Sequence, residues 1–401
     1  MRCGPTRMAG ISVCFLVNPI AGIGGRLGLK GSDNIDVKLL AGKEAPAPER
    51  ASRFVRALAR LIPSEKVFFL TVNNKMGEGY IEETVYKSSY RVIYRYSSWP
   101  TSRNDTIKAV KACVKNDAKI IVFVGGDGTA RDVYKALEAS GSTGKPILGV
   151  PSGVKVYSSV FAISPEAAAN TLASYITGNA ATCTGEILDI DEEAYRRGKL
   201  KVKLYAIAKI PCSNLMVASS KEPTPQTPTE EENRKAIATH IKEYYMRDCT
   251  LYVLGPGTTT KAIADAIGVE KTLLGVDVIH NGKLLVRDAN EEALYRAVKR
   301  HRERGGRVLI IVSPLGGQGF LLGRGNQQIS PRVLREAGGR KSLLAVATRS
   351  KMAKLKQFLV DTGDPELDAQ LEGYIRVVVD YGEEAIIPLR AATRTEEEQS
   401  R

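Results

Sequence analysis

Between Ile120 and Ala130 the chain reads IIVFVGGDGTA, a continuous β-branched and aromatic run that meets a glycine-rich turn and then a helical pattern. A strand of that kind is buried on both faces, which calls for a parallel sheet with helices on either side. The turn Gly125-Gly126-Asp127-Gly128-Thr129 lacks bulky side chains where a ligand would approach, and it opens a helix whose free amides favour anions. Asp127 is the unusual member. A carboxylate in an anion-binding turn makes sense as a base toward an attacking hydroxyl, as a magnesium ligand, or as both. The plain alternative is a turn in which Gly and Asp only satisfy backbone geometry.

The surrounding pattern agrees with an α/β layer. Strands are expected at Ile11–Val17, Val67–Val72, Ile120–Val124 and Ile147–Val150, with helices at Pro48–Leu61, Asp105–Lys115 and Ala130–Ala139 between them. From Gly185 the texture changes to paired strands at Ile187–Ile190 and Val202–Ile210, with a turn at Arg197-Gly198-Lys199. Ser219–Glu232, with three prolines and four glutamates, reads as a mobile loop before a helix at Asn233–Met246. Further strands are expected at Thr250–Leu254, Leu274–Ile279, Leu284–Val286, Val308–Val312, Leu343–Ala347 and Ile375–Val379, and a charged helix at Glu291–Arg304. At 401 residues and about 150 per domain, two or three domains are expected. We place an α/β nucleotide-binding domain at 1–180, a β-rich substrate-binding domain with an α/β insertion at 181–390, and a polar tail at 391–401.

Other glycine-rich turns follow predicted strands. Val17-Asn18-Pro19-Ile20-Ala21-Gly22-Ile23-Gly24-Gly25 matches neither G-x-G-x-x-G nor the Walker pattern, yet it can share a crevice with Gly125–Thr129 at the carboxyl edge of one sheet. Asn18 is then a nucleotide-contacting side chain or a turn cap. Pro151-Ser152-Gly153-Val154-Lys155-Val156-Tyr157-Ser158 lies beside the same edge, with Lys155 either neutralising phosphate or simply solvated. Gly255-Pro256-Gly257-Thr258-Thr259 repeats the strand-to-helix turn with hydroxyls at the helix start. The segment from Ser313 to Pro331 concentrates Gly317, Arg324 and Asn326 in one loop, which points to ligand contact, with Arg324 able to hold a phosphate bidentately.

Six scattered cysteines without a C-x-x-C pair read as buried free thiols of a reducing compartment, and with three histidines far apart nothing resembles a zinc site. Any metal should arrive with a phosphate ligand, so no metal-ligating residue is assigned. The net charge of +14 is concentrated in Arg287–Lys356, where sixteen basic residues face five acidic ones. Few aromatics interleave them, so a solvated face or a phosphate contribution fits better than nucleic acid. The apolar run Ile11–Val17 is too short to span a membrane, and a cytoplasmic protein without a membrane or nucleic-acid partner is expected.

Together VNPIAGIGG, GGDGT, PSGVKVYSSVFA, LGPGTTTK, LLGVDVI and SPLGGQGFLLGRGNQQISP resemble the ATP-NAD kinase family. The resemblance is to a branch of archaea and some bacteria that includes the acetoin-catabolism protein X group. GGDGT is shared with diacylglycerol and sphingosine kinases and phosphofructokinases, whereas the long motif from Ser313 points to this branch. The resemblance implies an N-terminal Rossmann-like parallel sheet and a second β-rich α+β domain clamping the substrates. It implies Asp127 as the catalytic residue and Asn18 as a contact of the first nucleotide loop, and with the turns read above the candidate nucleotide contacts are Asn18, Gly22, Gly24, Gly25, Gly125, Gly126, Gly128, Thr129, Ser152, Gly153, Lys155, Gly257, Thr258, Thr259, Gly317, Arg324 and Asn326. The implied reaction moves the terminal phosphoryl group of Mg-ATP, or of polyphosphate, to the 2′-hydroxyl of the adenosine ribose of NAD. A homo-oligomer is also implied. Better-known NAD kinases carry an Asn-Glu or Asn-Asp pair that reads the dinucleotide; here Ser213-Asn214 stands nearest and lacks the carboxylate. A kinase of the same fold acting on another small or lipid-like alcohol, and a nucleotide-binding regulator without turnover, therefore stay open.

Overall fold

A computed structural model describes residues 10–23, 45–152, 156–190, 202–213, 215–216, 228–314 and 319–392. The chain starts with β1 (Ile11–Val17), α1 (Pro46–Leu61), β2 (Val67–Val72), β3 (Tyr90–Tyr94), α2 (Arg103–Lys115), β4 (Ile120–Gly125), α3 (Asp127–Glu138), β5 (Ile147–Pro151) and α4 (Pro165–Ile176). The five strands pair in parallel in the order β3-β2-β1-β4-β5. Residues 13–17 and 120–124 are completely buried, as the β-branched run requires of strands covered on both faces. Edge strand β3 is only half-buried and carries Arg91 and three tyrosine or isoleucine side chains without a clean alternation, so the sequence pattern does not reveal it.

An antiparallel ribbon follows, β6 (Thr182–Ile190) with β7 (Val202–Pro211). The rest comprises α5 (Pro228–His240), β8 (Thr250–Leu254), α6 (Thr258–Ala266), β9 (Asp277–His280), β10 (Lys283–Val286), α7 (Glu291–Glu303), β11 (Arg307–Val312), β12 (Phe320–Leu322), α8 (Pro331–Ala337), β13 (Leu343–Val346), β14 (Phe358–Val360), α9 (Pro365–Leu371), β15 (Gly373–Asp380) and β16 (Glu383–Ala391). Nine of these strands form one mixed sheet, β10-β9-β8-β11-β13-β15-β16-β14-β12, with parallel pairing from β8 through β15. The parallel α/β first part and the sheet-rich second part agree with the fold expected from the sequence.

Three expectations need correction. Pro228–Glu232, assigned to a mobile loop, already belongs to α5, whose first turn carries Pro228, Glu230 and Glu231. Proline at the first helical position and acids beside the helix dipole both favour that start. The remainder of that loop, the turn at Arg197-Gly198-Lys199 and the tail from Thr393 lie outside the described residues. The strand expected from Leu274 begins only at Asp277. Finally, the cysteines are not all free thiols. Cys14 on β1 is joined to Cys113 on α2 and Cys183 on β6 to Cys212 after β7, with Cα separations of 5.7 and 5.4 Å. Tertiary proximity of residues 99 and 29 positions apart decides this, which spacing along the chain does not show. Cys249 is free and exposed.

Among the described residues the two parts meet at a buried cluster around Asp361. Asp361, just after β14, is fully buried and takes Arg50 of α1 at 2.5 Å and Arg324 at 3.2 Å, with Arg53 at 3.8 Å. Beside it Phe320, Leu359 and Ala392 form a small apolar cluster that packs against Ile163 from the first part. Several arginines of the basic stretch are likewise matched by acids: Arg332 with Glu291 and Glu292, Arg335 with Asp364, Arg349 with Glu383. These three arginines are thus paired on a solvated face.

Candidate active site

In the first sheet, β1 leads outward to β2 and β3 on one side, while β4 and β5 lie on the other. The boundary between β1 and β4 is the switch point at which open α/β sheets bind ligands. The turns that leave these two strands are fastened together there. Asn18 N donates to the Val124 carbonyl at 2.9 Å, and Asn18 Nδ2 donates to Thr129 Oγ1 at 3.1 Å. Ser152 N, leaving β5, donates to the Gly125 carbonyl at 3.0 Å. Asn18, Gly22, Gly125, Gly126, Asp127, Gly128, Thr129 and Ser152 are therefore gathered on one carboxyl edge.

Two glycines allow this packing. Gly22 has φ +86, and a Cβ there would lie 2.5 Å from the Ser152 carbonyl oxygen. A Cβ on Gly125 would meet Thr129 Oγ1 at 2.5 Å and displace the partner of Asn18. Gly128 differs, because a Cβ there meets only the end of Arg131 at 3.7 Å. Gly22→Ala is accordingly expected to lower stability by about 1–3 kcal/mol, and Gly128→Ala to leave the denaturation midpoint nearly unchanged. Equal midpoints for the two variants in urea would show that the Gly22 turn is not tightly packed against Ser152.

Asp127 is the first residue of α3, directly after the Gly126 N-cap. The following turn leaves the early amides of the helix without carbonyl partners within it. The carboxylate is half-buried and anchored: Oδ2 accepts from Tyr157 N at 2.9 Å, and Oδ1 from Ser158 N at 2.8 Å and Ser158 Oγ at 2.5 Å. Ser158 Oγ also accepts from Leu188 N at 2.9 Å, and Ser159 Oγ accepts from Glu186 N at 2.7 Å, so strand β6 braces the anchor. Arg131 pairs with Asp189 on the same strand. Burial, together with the negative charge of Asp127, drives the Tyr157 phenol well above its ordinary range, so it stays protonated. Sequence reading placed Tyr157 and Ser158 beside this edge but did not assign them to Asp127; a hydroxyl pair following a Pro-Ser-Gly turn was the available signal.

Ser152 is fully buried and its Oγ has no hydrogen-bond partner among the described residues. A buried orphan hydroxyl beside this crevice is a natural ligand contact. Gly24, Gly25, Gly153, Lys155 and Gly317 lie outside the described residues. Among the described residues no group of three or more His, Cys, Asp or Glu side chains could hold a metal ion.

Gly257, Thr258 and Thr259 occupy a different carboxyl edge, that of β8 and β11 in the second sheet. Gly257, with φ +124, caps α6, and Thr260 Oγ1 ties the turn by donating to the Gly255 carbonyl at 2.6 Å. Thr259 is buried with its Oγ1 unpartnered among the described residues. Nearby, Gly257 N donates to the Leu273 carbonyl. Lys271, buried 3.5 Å from Asp277, is pushed down to about 8 by burial, against the opposing pull of that acid.

Arg324 and Asn326 both make contacts within the protein, Arg324 Nη1 being left without a hydrogen-bond partner among the described residues. Arg324 is fully buried, donates to Asp361 and to the Ile163 carbonyl, and lies 4.2 Å from the Phe320 ring centroid. Burial pushes it down to about 10, opposed by Asp361. Asn326 spends its side chain inside its own turn, donating to the Leu321 carbonyl at 2.9 Å and accepting from Gly323 N at 3.0 Å. Arg324 thereby helps to build the junction between the two parts.

The family model for the ATP-NAD kinase N-terminal domain matches residues 13–180, and that for the ATP-NAD kinase C-terminal domain matches residues 247–389. No curated protein matches the sequence. A solved structure described as a galactofuranose binding protein aligns over 94% of this chain and 94% of its own at 10% identity, with a TM-score of 0.25, which carries no argument. No helix among the described residues is long and apolar enough to cross a membrane.

Proposed function

The chain belongs to the ATP-NAD kinase family, and from that premise we propose that it transfers the terminal phosphoryl group of ATP to the 2′-hydroxyl of the adenosine ribose of NAD, giving NADP and ADP. The observation that carries the reading is Asp127, held by Tyr157 and Ser158 at the switch point of the parallel sheet beside a turn of open amides. As the ribose oxygen forms its bond to the γ-phosphorus, the bond from that phosphorus to the ADP oxygen breaks, and Asp127 takes the hydroxyl proton. The amides at the start of α3 and the Gly22 turn bind and orient the phosphate chain. Ser152 Oγ supplies a further hydrogen bond that it otherwise lacks.

The donor set around Asp127 fits a magnesium ion carried in by the triphosphate, with Asp127 as its protein carboxylate, and among the described residues does not fit an all-protein cage. When bound, that ion offsets phosphate charge. The protein acts on soluble nucleotides in the cytoplasm, as a homo-oligomer.

The test is incubation of the purified protein with Mg-ATP and NAD, with enzymatic detection of NADP; parallel reactions use NADH as acceptor and polyphosphate as donor. NADP formation that depends on Asp127 supports the reading. A second reading is favoured by Ser213, Leu215 and Met216. This stretch runs beside Ala162 and Ile163, where Ile163 N donates to the Leu215 carbonyl, and it brings no carboxylate for ribose hydroxyls. ATP consumption with another alcohol and none with NAD would select a kinase of the same fold with a different acceptor.

A further inference from the structure

The nine-stranded sheet has a switch point of its own. Apolar residues of α5 and α6 share one cluster with Leu254 of β8, Ile311 of β11, Val346 of β13 and Val378 of β15, so both helices cover one face of the parallel strands. The next helix after β11 is α8, whose Val333 and Leu334 belong to the core on the opposite face. The chain leaving β8 and the chain leaving β11 therefore turn to opposite faces, and the gap between their ends is where an open α/β sheet takes a ligand. Polar side chains close the apolar cluster there. Ser313 continues the alternation of Leu309 and Ile311, which face α5 and α6, while Val308, Ile310 and Val312 face the other way. On α6, Thr259 and Thr260 lie one turn before Ile263 and Ala264 on the buried stripe. On α5, Arg234 lies one turn before Ile237 and Ala238. The start of α5 is fixed at this carboxyl edge, because Asn233 Nδ2 donates to the Val379 carbonyl and Glu230 Oε2 accepts from Ser350 Oγ, at 2.8 and 2.7 Å.

Two of these side chains have hydrogen-bonding atoms to spare. Arg234 is 8% exposed and Thr259 1%, yet Arg234 Nη1 and Thr259 Oγ1 have no hydrogen-bond partner among the described residues. A buried guanidinium with an unused donor is costly unless a ligand completes it. The nine-residue helix α6 opens at Gly257, where a Cβ would meet nothing within 4 Å, and its first-turn amides have no carbonyl partners within the helix. Lys351 brings its ammonium to the end of β11, donating to Ser313 Oγ at 3.2 Å and to the Pro314 carbonyl at 3.4 Å. The serine keeps its own proton to donate. Glu230 supplies one carboxylate at this edge, and Asp380 is matched by Arg349 at 3.3 Å. Arg234 and Lys351 against Glu230 leave a positive balance, to which the start of α6 adds.

We propose that this edge is a second anion site, built from the α6 turn, Thr259, Arg234, Ser313 and Lys351, which takes the phosphate group of a small phosphorylated molecule. Helix amides, two hydroxyls and a guanidinium donate from three different elements, as the oxygens of a phosphate accept. The site stands apart from the one at Asp127 and does not depend on phosphoryl transfer there. Its chemistry serves equally a separate phosphorylated compound and the phosphate chain of a nucleotide.

The test is calorimetric titration of the full-length protein with inorganic phosphate, in the wild type, Arg234→Gln and Thr259→Val, with Ser152→Ala as the comparison at the first crevice. Saturable phosphate binding should weaken about tenfold or more in Arg234→Gln, which removes a charged donor, and about threefold or more in Thr259→Val, which keeps the shape and removes the hydroxyl. It should persist in Ser152→Ala. In phosphate-free buffer both site variants should match or exceed the wild-type denaturation midpoint, since each removes a buried polar atom that has no partner; a merely structural role would lower it. Titration with ATP without magnesium then identifies the source. ATP affinity that falls together with phosphate affinity in Arg234→Gln assigns the site to the nucleotide's phosphate chain, and unchanged ATP affinity beside weakened phosphate binding assigns it to a separate phosphorylated compound. Wild-type phosphate affinity in both Arg234→Gln and Thr259→Val, or no saturable binding at millimolar phosphate, overturns the proposal.

Discussion

Asp127→Asn is expected to lower turnover by about 10²–10⁴-fold while nucleotide binding measured without magnesium and the denaturation midpoint stay close to wild type. The geometry explains why the two properties separate. The asparagine carbonyl oxygen can take the place of Oδ1, still accepting from Ser158 N and Ser158 Oγ and remaining near Tyr157 N, which approaches both carboxylate oxygens. The anchor between the α3 turn and the segment after β5 survives, and with it the turn of amides that binds phosphate. What disappears is the acceptor for the hydroxyl proton, since an amide nitrogen donates and cannot take a proton. Asp127→Ala should behave differently, because it leaves the Tyr157 and Ser158 amides without their partner and so lowers stability as well. Single-turnover NADP formation, measured beside equilibrium ATP binding, separates these outcomes. An Asp127→Asn variant with near-normal single-turnover rates would take Asp127 out of the chemistry.

The central part of this site was legible because local chemistry determines it. A β-branched run ending in Gly-Gly-Asp-Gly-Thr leaves few options for backbone path, and apart from the edge strand β3 the α/β order of the first 150 residues follows from periods of hydrophobicity visible in short windows. What the sequence hid depends on contacts between distant segments. Arg324 read as a phosphate ligand because a guanidinium in a glycine-rich loop is usually solvated or ligand-bound; that Asp361 lies under it follows only from β12 and β14 being neighbours in the sheet. These are three-residue strands, too short to leave a periodic trace. Cys14 and Cys113 hid a disulfide for the same reason, each looking like an ordinary apolar residue on its own strand or helix.

The second large effect is expected at that hidden junction. Asp361→Asn keeps the side-chain volume but removes the negative charge facing Arg50 and Arg324, both of which are buried. Breaking a buried pair on one side leaves an uncompensated charge and costs about 3–5 kcal/mol. Burial alone would raise the Asp361 pKa; Arg50, Arg324 and Arg53 outweigh it and hold the carboxyl well below the usual carboxylate range. A depressed folded-state pKa contributes stability that is complete above the unfolded value of about 4 and is lost as pH falls through the folded value. The stability gap between wild type and Asp361→Asn should therefore be constant near neutrality and shrink progressively below about pH 4. Location sharpens the prediction. The large apolar cores of the two parts are separate, and the Asp361 cluster with Phe320, Leu359, Ala392 and Ile163 joins them. Weakening this joint should uncouple the parts, so calorimetry of Asp361→Asn is expected to resolve two transitions where the wild type shows one. A single endotherm shifted by less than a degree, with the same gap at pH 3 and pH 7, would mean that Asp361 neither couples the two parts nor carries the buried charge balance between them.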